Sequence, residues 1–130
     1  MGSIGGKGMN EEQVRVVVVD DVNDSAETMA ALLRLNGYEV RTCADGSEAL
    51  AAIEQRKPHC VLFDVVMPGI GGDELCSRLR SLYGDDIVLI AVSGFAEGDP
   101  RVRASFSLAD HYFTKPVDLA ALSRLLRPVG

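Results

Sequence analysis

The chain has 130 residues, enough for one domain with a substantial core, and its 47% hydrophobic and 25% charged content is that of an ordinary globular protein. A net charge of −6 argues against a nucleic-acid-binding face, and the absence of Trp with only 5% aromatic residues argues against stacking platforms for bases or sugars. Three cysteines, Cys43, Cys60 and Cys76, are widely spaced without a C-x-x-C, so they read as small buried hydrophobes in a reducing cytoplasm rather than a zinc site or a disulfide framework.

Residues 1–13 are glycine-rich without an apolar h-region, and they read as a flexible leader of cloning origin rather than a signal peptide. No stretch has the 18 or more apolar residues of a membrane span, so no membrane association is expected. A single domain is expected over 14–128. Its first element is a strand over Arg15–Val19, four consecutive valines that run into Asp20 and Asp21. A helix follows over Ser25–Asn36, with Met29, Leu32, Leu33 and Leu35 at helical spacing, Gly37 as its left-handed stop and Asp24 as a candidate cap. Next come a strand over Glu39–Cys43 and a helix over Ser47–Gln55 that carries Ala49, Leu50, Ala52 and Ile53. A third strand, Cys60–Phe63, ends in Asp64, and a helix over Asp73–Leu82 precedes Gly84.

The fourth strand, Ile87–Val92, leads into Ser93-Gly94. A fourth helix over Glu97–Leu108 is weakly patterned, because Gly98 and Pro100 restrict its start and its apolar face is thin. A fifth strand over Asp110–Phe113 leads into Thr114-Lys115-Pro116, and a last helix over Asp118–Leu126 stops before Pro128. Near-continuous apolar runs alternating with helices describe strands buried on both faces of a parallel sheet with right-handed crossovers. The expected architecture is a doubly wound α/β fold, and its functional crevice lies at the carboxyl ends of the strands.

Four of the five strands deliver a polar or charged residue to that rim: Asp20-Asp21, Asp64, Ser93-Gly94 and Lys115. Three carboxylates gathered there raise one another's pKa, and a hard divalent cation with oxygen ligands removes the repulsion. A cation, a lysine, a hydroxyl and a carboxylate able to act as nucleophile are equipment for phosphoryl transfer. His59 and His111 fall at strand starts with no second ligand at metal spacing, and they read as structural.

Asp20-Asp21, Asp64 followed by Met67-Pro68, Ser93-Gly94 and Tyr112-x-x-Lys115-Pro116, in order and each at a strand end, resemble the CheY-like receiver domain of two-component response regulators across roughly residues 14–127. The resemblance implies a flavodoxin-like (βα)5 fold with a parallel five-stranded sheet of order 2-1-3-4-5. It implies that Asp64 is the phosphoacceptor and that magnesium, or manganese in its place, is held by Asp20, Asp21, Asp64 and the backbone carbonyl of Val66. Lys115 would pair with the phosphoryl group, Ser93 would hydrogen-bond it, and Tyr112 would turn inward as part of the switch. Met67, Pro68, Gly94 and Pro116 would shape the pocket, with a cis Lys115–Pro116 bond aiming the lysine inward. The implied phosphodonor is a histidine kinase or a histidine phosphotransfer domain, and the implied output is a protein partner or a fused domain. A cytoplasmic monomer or weak dimer is expected, a signalling phosphoacceptor and not an enzyme. The phrases Ala91–Phe95 and Lys115–Asp118 further resemble receivers attached to hybrid histidine kinases.

The chain departs from the family pattern in three places. Val66 and Phe95 are apolar where fast-decaying receivers carry polar groups, which predicts slow to moderate dephosphorylation. Leu108-Ala109-Asp110 lacks the glycine usual before the fifth strand, so a left-handed turn there is disfavoured. Three other classes fit less well. A magnesium-dependent aspartyl phosphohydrolase wants a second acid where Val66 stands and a cap domain. A flavodoxin-type cofactor binder wants an anion-binding turn after the first strand, and here that turn is acidic. A degenerate, docking-only receiver would not need every charged pocket residue.

Overall fold

The structure is a computed structural model, and it describes residues 13–65, 69–94 and 108–126. Five strands form one parallel sheet: β1 (Arg15–Val19), β2 (Glu39–Cys43), β3 (Cys60–Asp64), β4 (Val88–Ser93) and β5 (His111–Thr114), in the spatial order β2-β1-β3-β4-β5. The described helices are α1 (Asn23–Leu35), α2 (Gly46–Gln55), α3 (Gly72–Tyr83) and α4 (Leu119–Leu126). This is the expected flavodoxin-like order. The helix expected over Glu97–Leu108 lies outside the described residues except for its last residue, as do Val66, Met67, Pro68 and Phe95.

The sheet is buried on both faces because its inner strands β1, β3 and β4 are apolar at nearly every position, whereas the edge strands β2 and β5 carry polar residues. In β1, Val17 and Val19 pack with α2 and α3, while Val16 and Val18 pack with α1 and α4. All four valines are almost completely buried, each side chain worth roughly 1.5 kcal/mol or more of transfer free energy. A one-residue slip of β1 would exchange the two faces, so its register against Val40–Cys43 and Cys60–Phe63 is tightly specified.

The helix ends follow local chemistry. At α2, the Asp45 carboxylate accepts from the Glu48 N–H at 2.8 Å while Glu48 accepts from the Ala44 N–H at 2.8 Å, a reciprocal cap. The last helix begins at Leu119, one residue later than expected, because Asp118 stands outside it and accepts from the Ala120 and Ala121 N–H groups. The first helix starts two residues earlier than expected. Val22 takes the N-cap position without a side-chain acceptor, so Asp24 is not a cap but sits in the first turn, where its charge complements the helix's positive end.

The buried stripe of α1 is Ala26, Ala30 and Leu33, whereas Leu32 is 37% exposed and Leu35 83% exposed. Small residues let α1 sit close on the sheet, and only one of the expected leucines faces it fully. Gly37 (φ +93°) and Gly84 (φ +58°) end α1 and α3 in the left-handed region, as expected of glycine there. At the opposite end of the sheet, His59 is structural: its Nδ1 accepts from the Arg15 N–H at 2.9 Å, and its own N–H and carbonyl extend the ladder to Arg15 and Val88. No helix among the described residues is long and apolar enough to cross a membrane.

Candidate functional site: an acidic cluster at the carboxyl ends of the strands

Asp20 follows the last valine of β1, and its N–H still donates to the Cys43 carbonyl at 3.0 Å, so the ladder carries it one step beyond the strand. The chain then turns. Asp20 Oδ1 accepts from the Val22 N–H at 2.9 Å, which fixes that carboxylate while Asp21 projects to solvent. Asp64 is the last residue of β3, opposite Val92 of β4, and its side chain is mostly buried. One carboxylate oxygen from each of Asp20, Asp21 and Asp64 lies within 4.8 Å of the others. The sequence places all three on one rim, and the structure brings them to a single point.

Lys115 enters from the end of β5. Its N–H donates to the Ser93 carbonyl at 3.0 Å, continuing the β4–β5 ladder, and the Lys115–Pro116 bond is cis. Its Nζ lies 3.0 Å from Asp64 Oδ2 and 3.5 Å from Asp20 Oδ2. Burial alone lowers the lysine's pKa, but the hydrogen bond it donates to Asp64 and the charges of Asp64 and Asp20 outweigh it and hold the ammonium above its ordinary value. Lys115 is therefore a fixed positive charge bridging two of the three carboxylates.

The other expected site residues divide. Ser93 ends β4 fully buried at the same rim and receives the Lys115 backbone. Pro116 joins Asp20, Asp64 and Lys115 in lining a crevice of about 650 Å³, whose floor is Val18, Leu62 and Val92. Gly94 is exposed, and a Cβ built on it meets nothing within 4 Å among the described residues. Tyr112 lies opposite Ala91 and packs against the core on the α2–α3 face of the sheet. Val66, Met67 and Pro68 fall outside the described residues.

Sequence reasoning missed the way the turn into β5 is held. Leu108 and Asp110 need no glycine because Asp110 makes its own pairing with β4. Its N–H donates to the Leu89 carbonyl at 2.7 Å, and its carboxylate accepts from the Leu89 N–H at 2.8 Å. Arg80 of α3 clamps the turn, donating to the Leu108 carbonyl at 2.7 Å and to Asp110 Oδ2 at 3.1 Å. No described non-glycine residue has a positive φ.

Chemically, the cluster offers three hard oxygen donors beside one ammonium. The donor set suits a small divalent cation that retains part of its water shell, and it does not suit a soft metal.

Comparisons with known proteins identify the family and the fold. The model of the response regulator receiver domain matches residues 16–127. The response regulator MprA of Mycobacterium sp. (strain KMS) is 38% identical over 114 residues, which cover 88% of this chain and 49% of that protein. The chain thus spans about half the length of the curated relatives it matches. Among solved structures, the CheY-like receiver domain from Methylobacillus flagellatus is 31% identical with a TM-score of 0.79, covering 89% of this chain and 98% of that one. The response regulator TrrA from Thermotoga maritima, in complex with Mg2+-BeF, is 28% identical with a TM-score of 0.76, covering 88% and 97%. With its sequence and its fold both matched, this chain belongs to the response regulator receiver domain family.

Proposed function

We propose that this receiver domain is a phosphoacceptor in a two-component phosphorelay, with Asp64 as the residue that carries the phosphoryl group. The observation that supports this best is the ion pair between Asp64 Oδ2 and Lys115 Nζ at 3.0 Å, set against the carboxylates of Asp20 and Asp21. The donor is a phosphohistidine of a histidine kinase or of a histidine phosphotransfer domain. An Asp64 oxygen forms the new P–O bond as the P–N bond breaks, and the departing imidazole nitrogen keeps that electron pair and takes a proton.

Asp20, Asp21, Asp64 and the backbone carbonyl of Val66 are the ligands proposed for magnesium or manganese. A divalent cation there supplies positive charge beside the phosphoryl oxygens. The structure of TrrA with Mg2+-BeF, a relative of the same fold, favours this assignment. Lys115 neutralises a phosphoryl oxygen from the opposite side, and its backbone bond to Ser93 keeps it in reach. The Ser93 hydroxyl donates to a second phosphoryl oxygen, Tyr112 shifts with it, and Met67, Pro68, Gly94 and Pro116 frame the pocket. These contacts differ between the free and phosphorylated states, so phosphorylation shifts the population of a conformational switch toward the form read by a protein partner or a fused output domain. With Val66 apolar, no polar side chain two residues after Asp64 is present to orient an attacking water, and dephosphorylation is slow to moderate. The domain works in the cytoplasm as a monomer or weak dimer.

The test is intact-protein mass after incubation with acetyl phosphate, with and without magnesium, for the wild type and Asp64→Asn. A magnesium-dependent gain of one phosphoryl group, absent in the variant, is expected. No gain in the wild type under any condition would leave a docking-only receiver.

A further inference from the structure

The backbone that carries Asp64 is pressed from beneath by the first turn of α3. Gly72, the first residue of that helix, donates its N–H to the Val65 carbonyl at 2.9 Å. A Cβ built on Gly72 falls 2.7 Å from the Val65 Cα, 2.8 Å from the Asp64 carbonyl oxygen and 2.9 Å from the Val65 carbonyl oxygen. All three are backbone atoms, and no rotamer change can move them aside. Val65 is held from the other side as well, its N–H donating to the Val92 carbonyl of β4 at 3.0 Å. The peptide after Asp64 is thus gripped between β4 and α3, and only a residue without a side chain allows the helix to come this close.

We infer that Gly72 is a positioning residue for the phosphoacceptor, setting the height of the Asp64 carboxylate against Asp20, Asp21 and Lys115. The inference rests on the phosphoacceptor reading above and adds to it a residue that touches neither cation nor phosphoryl group. An added methyl at position 72 displaces the Asp64–Val65 peptide, α3 or both. Carboxylates within 4.8 Å of one another share a cation only over a narrow range of positions, so a displacement of a few tenths of an ångström separates the donor set. Gly46 provides the contrast. A Cβ there also overlaps, but with Ile70, at 2.9 Å from its Cβ and Cγ2 and 3.1 Å from its carbonyl oxygen, and not with Asp64 or Val65.

The experiment compares wild type, Gly72→Ala and Gly46→Ala by calorimetric titration with magnesium chloride, each alongside a urea melt. Both variants are expected to lose stability. Gly72→Ala is expected to weaken magnesium binding by on the order of tenfold or more, the usual cost of disturbing the support of a metal ligand, whereas Gly46→Ala leaves the affinity of the folded protein unchanged. Equal magnesium affinity in wild type and Gly72→Ala, or equal weakening in both variants, would overturn the inference while leaving the phosphoacceptor reading intact. Failure of the wild type itself to bind magnesium would instead strike the reading on which the inference rests. Should Gly72→Ala not fold, hydrogen exchange on the wild type decides. Saturating magnesium is expected to slow exchange of the Gly72 N–H relative to the capped Glu48 N–H, and an unchanged ratio would overturn the inference.

Discussion

Replacing Lys115 with Met keeps the length and most of the bulk of the side chain while removing the one positive charge seen to bridge the carboxylates. The ammonium stands 3.0 Å from Asp64 and 3.5 Å from Asp20, gross attractions of about 5 kcal/mol each at an effective dielectric constant near 20. Most of that is offset. The lysine side chain retains 34% of its exposure, so solvent screens it, and its partial burial carries a desolvation cost. Exposed pairs contribute about 0–1 kcal/mol, and breaking a fully buried one costs about 3–5 kcal/mol. Two carboxylates only 9–11% exposed against a one-third exposed lysine fall between, and Lys115→Met should lose about 2 kcal/mol in EDTA at pH 7.5. The sign of the magnesium effect is opposite. With no ammonium competing for Asp20 and Asp64, the variant should bind magnesium more tightly than wild type. A cation at ten times its dissociation constant adds about 1.4 kcal/mol of stability. Urea melts of both proteins, with EDTA and with rising magnesium, measure both effects. A variant as stable as wild type in EDTA would mean that desolvation of Lys115 already cancels its attraction. A variant that binds magnesium more weakly would mean that the lysine and the cation cooperate, and either result refutes this account.

Alkaline pH provides a separate test. Burial pushes the Cys43 and Cys76 thiols from 9.0 to about 11, and Cys60 higher still. The unfolded thiols ionise first, so stability should fall as pH rises above about 9, and Cys60→Ala should reduce that slope in melts from pH 8 to 10.5. The Lys115 contribution is fully present below its unfolded value of 10.5 and disappears as pH climbs through the raised folded value, so Lys115→Met should lack that later loss. Arg80→Ala removes the donor to the Leu108 carbonyl and to Asp110; a loss of about 1–2 kcal/mol is expected, with faster exchange of the Leu89 and Asp110 amides and little change at Val61. On α1, Leu33→Ala should cost about 3 kcal/mol and Leu35→Ala less than about 0.5 kcal/mol in urea melts; equal costs would mean that the helix is rotated from the orientation described.

The inner strands were legible because a strand buried on both faces is apolar at almost every position, and that pattern cannot be mistaken for a solvated loop. The rim was legible because a carboxylate directly after such a strand has only one place to go. Asp20, Asp21 and Asp64 needed no more than that, and Lys115 was found by its place after the fifth strand, beside Pro116. What the sequence concealed depends on contacts between distant elements. The helical pattern of α1 contains four candidate core residues, and only packing shows that Ala26 and Ala30, too small to register as apolar anchors, carry the contact while Leu35 does not. The missing glycine before β5 suggested a weakened turn, yet Asp110 and an arginine from α3, 30 positions away, supply what glycine would have. Gly72 belongs to no pattern the sequence displays, and only the fold shows the Asp64–Val65 backbone 2.7–2.9 Å from where a Cβ would stand.

The bridge between Lys115 and Asp64 joins positions 51 apart, and the lysine lies near the C-terminal end of the chain. On the ribosome, β1 and β3 emerge and can align long before position 115 leaves the exit tunnel. For that interval the nascent domain carries its acidic residues without their counter-charge. The pairing of β5 with β4 is therefore the step that completes the site: Lys115 reaches Asp64 and Asp20 only once the fifth strand is in place.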